Sequence, residues 1–220
     1  MAEIIPALNA ESEGEFQRQA AIARTLSTPW VQVDISDGIL GVPKNFSDPE
    51  YIVRALRGFS IDLHLMVQDV PPRVEAWRSF RPARITVHLE AIADPRSLFG
   101  RMSKDHIECG LALGPATAAE KASPYVPLVD LLLFVSVPPG RSGQQLDPGT
   151  PERIRGTHGA YPRANIGVDG GIKAEHVPVL VAAGASTLFV ASEIFRSSDP
   201  RAAFEQLRHL TAEQRGAVVP

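Results

Sequence analysis

The feature that most constrains the fold is a regular alternation of short apolar runs with longer segments of helical character. Such alternation is typical of parallel strands joined by helices. Eight runs occur, at residues 4–8, 30–35, 61–66, 85–89, 109–113, 129–137, 165–168 and 187–191. Eight parallel strands can close into a (β/α)8 barrel or form an open doubly wound sheet, and periodicity alone leaves both open. In either fold, binding residues lie at the carboxyl ends of the strands.

The segments between the runs carry helix signals. At four predicted helix starts a capping residue precedes proline, whose missing N–H costs nothing at the first helical position. These pairs are Asp48-Pro49, Asp94-Pro95, Thr150-Pro151 and Asp199-Pro200. Between the first two runs, one helical face carries Phe16, Ala20, Ala23 and Leu26. Residues 175–183 predict another helix, and residues 142–163 predict a long loop followed by a short helix.

Composition narrows the classes of function. The 220 residues are 44% hydrophobic and 21% charged, which is the balance of an ordinary globular protein. A formal net charge of −3 provides no basic field, so we expect no nucleic-acid partner. No apolar run is long enough to span a bilayer, and the single cysteine, Cys109, excludes an internal disulfide. We therefore expect a cytoplasmic protein with no membrane partner.

Polar side chains end several predicted strands, where an unpaired charge would be costly to bury. Alternation along the second run places Gln32, Asp34 and Ser36 on one face. The third run contributes His64, and Asp169 ends the seventh. Except for Ser36, we expect these side chains to converge on one volume. Two carboxylates and an imidazole suit a divalent-metal site or an acid/base pair.

Each of these residues also has a purely structural interpretation. Asp34 can cap a turn, His64 can be a hydrogen-bonded core histidine, and Asp169 can form an Asx turn. His88 and Glu90 close the fourth run, and the sequence shows no partner for either. We expect structural roles for this last pair.

Glycine-bearing segments follow the last three predicted strands. Residues 139–144, PGRSGQ, follow the sixth strand, Gly170-Gly171 follow the seventh, and Ala191-Ser192 follow the eighth. Glycine lets backbone N–H groups approach an anion, and barrels often hold phosphate beside their last strands. The sequence therefore predicts a phosphate site here, to which Arg141 can add charge.

Seven motifs in order resemble the ribulose-phosphate 3-epimerase family along nearly the whole chain. They are VDISDG at 33–38, DLHLM at 62–66, ITVHLE at 85–90, PAT at 115–117, PGRSGQ at 139–144, VDGGI at 168–172 and ASEIF at 191–195. The resemblance implies an α/β fold, a single (β/α)8 TIM barrel of the ribulose-phosphate-binding type spanning residues 1–220. It also implies a homo-oligomer.

The resemblance further implies an isomerase of pentose phosphate carbohydrate metabolism that interconverts ribulose 5-phosphate and xylulose 5-phosphate. Asp34 and Asp169 would be the two catalytic carboxylates, and with His64 they would hold a divalent metal (zinc, manganese or iron), with no organic cofactor. The small phosphosugar substrate would contact Asn9, His64, Met66, Gly140, Ser142, Gly143, Gln144, Gly170, Gly171, Ala191 and Ser192.

The chain departs from the family pattern mainly at the expected metal. Gln32 stands where the family has a metal-binding histidine, so it would be at most a weak ligand. Further departures are Asn9 for serine, Ser36 and Val135 for methionine, and Ser142 and Ala191 for glycine. We expect a weakened metal site beside a retained phosphosugar site. Two alternatives stay open: a phosphosugar enzyme that works without metal, and a non-catalytic phosphosugar-binding or assembly barrel.

Overall fold

Eight parallel strands close into a barrel in chain order, so the barrel and not the open sheet is the fold. The computed structural model describes residues 2–138 and 143–213. The strands are β1 Glu3–Leu8, β2 Trp30–Ser36, β3 Ser60–Met66, β4 Arg84–His88, β5 Glu108–Leu113, β6 Leu131–Val135, β7 Ile166–Asp169 and β8 Thr187–Val190. Each strand overlaps one of the eight apolar runs. β1 pairs with both β2 and β8, which completes the ring.

Helices surround the barrel and connect most of the strands. They are α1 Glu13–Ala23, α2 Pro49–Ala55, α3 Val70–Arg78, α4 Arg96–Lys104, α5 Thr150–Ala160, α6 Val177–Ala183, α7 Ser192–Phe195 and α8 Pro200–Glu213. Two short 3-10 helices, Ala119–Ala122 and Val126–Leu128, take the place of an α-helix between β5 and β6. Within the described residues, no helix has the length and apolar character needed to cross a bilayer.

Two of the four predicted helix starts are confirmed by side-chain caps. Asp48 accepts a hydrogen bond from a first-turn amide of α2, and Asp199 does the same for α8. The other two starts are displaced by one residue. α4 begins at Arg96, one residue after Pro95, and Asp94 accepts a hydrogen bond from the Arg96 amide at 3.1 Å. α5 already includes Thr150, which was expected to precede the helix.

The outer core lies between the strands and the helices. Phe16, Ala20, Ala23 and Leu26 are all buried there, as the helical face predicted. The 175–183 segment is a short 3-10 turn, Ala174–His176, that continues into α6. Because the outer face of each strand packs against the helices, it is apolar whether the residues on the inner face are polar or apolar.

The barrel interior is apolar on one side and polar on the other. The apolar side comes from β1, β5, β6 and β8 and consists of Ile5, Ala7, Ala112, Leu131, Leu133 and Phe189. The polar side comes from β2, β3 and β4 and consists of Gln32, Asp34, Asp62, His64, Arg84 and Thr86, all buried. Buried polar groups need partners, so the inner faces of β2 to β4 are committed to hydrogen bonding.

A buried ion pair lies at the amino-terminal end of the barrel, below the site described next. Arg84 Nε donates to Asp62 Oδ2 at 3.0 Å, and its Nη1 donates to Glu108 Oε2 at 3.1 Å. Thr86 donates to the second oxygen of Asp62 at 3.1 Å. The guanidinium also lies over the Trp30 ring, 4.8 Å from its centroid. Asp62 and Arg84 are therefore a satisfied structural pair.

Candidate active site

A cavity of about 560 Å³ opens at the carboxyl ends of the strands, and all eight strands or their following loops contribute to its wall. The predicted residues that line it are Asn9, Asp34, His64, Met66, Gly143, Gln144, Asp169, Gly170, Gly171, Ala191 and Ser192. Gly140, Arg141 and Ser142 lie outside the described residues. Gln32 lies beneath the lining and contacts two of its carboxylates.

Asp34, His64 and Asp169 meet at the base of the cavity. His64 Nδ1 lies 3.1 Å from Asp34 Oδ1 and 3.3 Å from Asp169 Oδ2. The register of β2 with β3 sets Asp34 directly beside His64, and closure of the barrel brings β7 to face them. We call these three residues the central trio.

Gln32 ties the two carboxylates of the central trio together from below. Its Nε2 donates to Asp34 Oδ1 at 3.0 Å and to Asp169 Oδ2 at 3.0 Å. Its Oε1 is buried, and among the described residues it has no hydrogen-bond partner. Both N–H groups of this amide therefore oppose the repulsion between two carboxylates at close range.

The pKa values of Asp34 and His64 are both raised. Burial raises the pKa of Asp34; hydrogen bonding to His64 opposes this rise, and the nearby charge of Asp169 adds to it. Burial alone would lower the pKa of His64, but hydrogen bonds to Asp169 and Asp34 and the charges of both carboxylates raise it to about 10. The two acidic side chains therefore favour the protonated form of His64.

The central trio could also hold a divalent metal. One ligand atom from each residue can be chosen so that all three lie within 4.8 Å of one another. Gln32 turns N–H groups, not an oxygen, towards this centre. Reversing its amide would point Oε1 at two carboxylates, which is favourable only with a cation between them. The three residues of the central trio thus fit a divalent metal, whereas the Gln32 amide favours the arrangement without one.

His88 and Glu90 line the same cavity and have partners that the sequence did not reveal. The Nε2 atoms of His64 and His88 are 2.9 Å apart, and His88 Nδ1 lies 3.4 Å from Glu90 Oε2. Burial lowers the pKa of His88. Burial alone would raise the pKa of Glu90, but hydrogen bonds from His88, Thr117 and Gly114 lower it to about 2. Glu90 is therefore ionised.

The opposite side of the cavity has a rim of backbone. Gly143, Gly170 and Gly171 all have positive φ, at 93°, 104° and 67°. A Cβ at Gly170 would lie 2.6 Å from Val137, and one at Gly171 would lie 2.5 Å from the Leu146 amide nitrogen. Only glycine fits at either position, so the main chain itself lines this part of the cavity.

The two positions expected to have lost methionine differ in the structure. Val135 lines the cavity, whereas Ser36 does not. The Ser36 hydroxyl donates to Val42 O at 3.1 Å and accepts from Gly38 N, so it holds the loop after β2. That loop is also held by Asn45, whose side chain bonds the backbone of Asp34 and of Ser36.

Comparisons with known proteins agree with this geometry. The model of the Ribulose-phosphate 3 epimerase family matches residues 3–195. Ribulose-phosphate 3-epimerase from Chlamydia muridarum is 32% identical over 195 residues, covering 85% of each chain. The cytoplasmic isoform of ribulose-phosphate 3-epimerase from Oryza sativa subsp. japonica is 29% identical over 214 residues, covering 94% of this chain and 93% of the relative.

A solved structure supports the fold independently. The 3-hexulose-6-phosphate synthase from Salmonella typhimurium superposes with a TM-score of 0.73 at 12% identity, covering 96% of this chain and 99% of that chain. At such low identity, the likeness shows the barrel fold alone. The match of the family model over most of the chain decides the family. The chain therefore belongs to the ribulose-phosphate 3-epimerase family.

Proposed function

We propose that the protein is a sugar-phosphate 3-epimerase that interconverts ribulose 5-phosphate and xylulose 5-phosphate. The observation that carries this proposal is the pair of carboxylates, Asp34 and Asp169, that meet around one imidazole at the base of the cavity. Inversion of a carbon next to a carbonyl needs one group to remove a proton and another to return one. The two aspartates supply both groups.

The proton transfers follow from the environment of each carboxylate. In one direction of the reaction, Asp169 removes the C3 proton, and the electron pair of the broken C–H bond moves to form the enediolate. Asp34, whose pKa is raised by burial, then donates its proton to the opposite face of C3. In the reverse direction the two residues exchange roles.

N–H groups around the two carboxylates provide the electrostatic support. His64 Nδ1 and Gln32 Nε2 both lie within hydrogen-bond distance of Asp34 and Asp169. Fixed donors at buried positions favour negative charge that develops beside them. The positive charge of a protonated His64, which lines the cavity, favours the enediolate, and Gln32 is suited to hold the carboxylates in place.

The metal of the family would be held by Asp34, His64 and Asp169. When bound, a divalent cation withdraws charge from a substrate oxygen and so makes the adjacent C–H bond more acidic. The amide of Gln32 weakens this site, because it offers hydrogens where an imidazole would offer a lone pair. We propose that this chain binds its metal less tightly than relatives with a histidine here.

The substrate phosphate belongs at the glycine-lined rim. Gly143, Gly170 and Gly171 present main chain to the cavity, and Ala191 and Ser192 line it beside them. Backbone N–H groups bind a dianion without lysine or arginine. Gly140 and Ser142, which the resemblance also assigns to the phosphosugar, lie outside the described residues.

An epimerase assay tests the proposal. We expect conversion of ribulose 5-phosphate to xylulose 5-phosphate, and no measurable conversion of unphosphorylated ribulose, because the phosphate fixes C3 between the two carboxylates. Equal rates with both sugars would contradict the phosphate assignment. No conversion of any ketose phosphate, with or without added divalent metal, would favour a non-catalytic sugar-phosphate-binding barrel.

Replacing Gln32 by histidine tests the weakened metal site. We expect Gln32→His to bind zinc about 10–100-fold more tightly than the wild type, because an imidazole lone pair replaces the amide hydrogens. Calorimetric titration of metal-free protein measures both affinities. Gln68→His, which adds a histidine at an exposed position, is the matched control and should bind as the wild type does. A wild type that binds one zinc per chain as tightly as Gln32→His would rule the proposal out.

A further inference from the structure

The second ring nitrogen of His64 has no role in the proposed proton transfers. Nδ1 faces Asp34 and Asp169, and Nε2 faces His88 Nε2 at 2.9 Å. The two histidine ring planes are 18° apart, with centroids separated by 5.0 Å. Because the nitrogens are closer together than the ring centres, the rings meet edge to edge. This is the geometry of a hydrogen bond between two imidazoles, not of face-to-face stacking.

Only one hydrogen fits between the two nitrogens, so one ring donates and the other accepts. If His88 carries its hydrogen on Nδ1, its Nε2 lone pair accepts from His64, and its N–H points towards Glu90 Oε2 at 3.4 Å. The opposite arrangement would aim a lone pair of His88 at a carboxylate. Glu90 therefore sets the direction of the hydrogen bond between the two histidines.

Glu90 is itself held firmly by the loop after β5. Its Oε1 accepts from Gly114 N at 2.8 Å and from the Thr117 hydroxyl. Arg153 fixes the same loop from the other side, donating from Nη2 to Gly114 O at 2.9 Å and to Thr117 O at 2.8 Å. With Oε1 occupied in this way, Oε2 is directed at His88.

We propose that His88 and Glu90 are positioning residues of the active site: they hold His64 with its Nε2 hydrogen towards His88 and its Nδ1 towards Asp34 and Asp169. The proposal rests on the proposed epimerase function for its catalytic consequence. The same orientation serves His64 whether Nδ1 donates a hydrogen bond or binds a cation, because Nε2 is the donor in both cases. Outer partners of this kind fix the tautomer and plane of a working histidine.

The variant Glu90→Gln tests the direction of this chain of hydrogen bonds. A glutamine amide can accept from His88 only by turning its NH2 towards the Gly114 amide, so it cannot serve both neighbours. We expect kcat to fall about 10–100-fold while KM changes less than about threefold, since the glycine-lined rim follows β6 and β7, whereas Glu90 follows β4. Glu175→Gln is the matched control, because Glu175 lies beside His176 on the exterior, and it should keep wild-type kinetics.

Nitrogen NMR of histidine-labelled protein tests the same proposal without any catalysis. We expect His64 in the wild type to carry hydrogen on Nε2, and we expect its ring-nitrogen shifts to change in Glu90→Gln but not in Glu175→Gln. Unchanged His64 shifts in Glu90→Gln overturn the proposal, even if the wild type is an active epimerase. If the His64 shifts change in Glu90→Gln but the wild type shows no epimerase activity, the positioning role of Glu90 is supported and the proposed function is rejected.

Discussion

We expect Asp34→Asn and Asp169→Asn each to lower kcat for epimerisation by about 10²–10⁴-fold, the usual contribution of general acid/base catalysis. Asparagine keeps the shape of the side chain and removes the carboxylate that takes or returns the proton. Because one residue acts on each face of the substrate, either single change should stop inversion. Steady-state assays with ribulose 5-phosphate measure this loss.

Asp48→Asn is the matched control for both variants. Asp48 caps α2 through its side chain, and asparagine caps a helix about as well as aspartate. This variant should retain wild-type stability and kcat. If Asp34→Asn or Asp169→Asn retained nearly the wild-type kcat, the assignment of that residue would be wrong.

The largest effect on stability should come from the barrel floor. We expect Asp62→Ala to lower the free energy of unfolding by roughly 3–5 kcal/mol, because it leaves the buried guanidinium of Arg84 without its closest charge partner. Glu108 is half exposed and compensates only in part. Urea unfolding followed by circular dichroism measures the loss.

Glu75→Ala is the control for this prediction. Glu75 also contacts two arginines, Arg78 and Arg101, but on the surface, where such pairs contribute only about 0–1 kcal/mol. The double variant Asp62→Leu with Arg84→Met should recover much of the lost stability, because no unpaired charge is left buried. A loss below about 1 kcal/mol for Asp62→Ala would show that water or Glu108 replaces Asp62.

Much of the fold can be predicted from the sequence, because each strand needs an apolar outer face to pack against helices. The central trio can be anticipated for a related reason. Asp34, His64 and Asp169 are polar residues that end apolar runs, and the ends of barrel strands converge. Neither inference needs the register of the strands.

Other features depend on contacts that sequence order does not reveal. Glu90 is held by Gly114 and Thr117, which follow it by 24 and 27 residues, and it meets them only because β4 and β5 are neighbours. The pairing of His64 with His88 likewise depends on the barrel register and ring planes. The PAT motif, which includes Thr117, was the available signal, and its role becomes visible only with Glu90 beside it.

The role of Gln32 illustrates the limit in another way. The sequence identifies an amide in place of an imidazole, but the hydrogen-bond direction follows only from the two carboxylates that face it. Similarly, Ser36 reads as a lost methionine, whereas the structure shows it holding the loop after β2. Residue type predicts which interactions a side chain can make, and its neighbours in the structure determine which of those interactions form.

Exchange of the substrate C3 hydrogen with deuterated water is the most direct test of the proposed chemistry. Wild-type protein incubated with ribulose 5-phosphate in D2O should introduce deuterium at C3 of both pentulose phosphates, because each inversion passes through the two aspartates. Asp34→Asn and Asp169→Asn should each lose deuterium in the inverted epimer, because the remaining aspartate can only remove and return hydrogen on its own face of C3. Asp48→Asn should form the deuterated inverted epimer as the wild type does. A wild type that introduces no deuterium at C3, or undiminished formation of the deuterated inverted epimer in both active-site variants, would contradict a two-base epimerase built on Asp34 and Asp169.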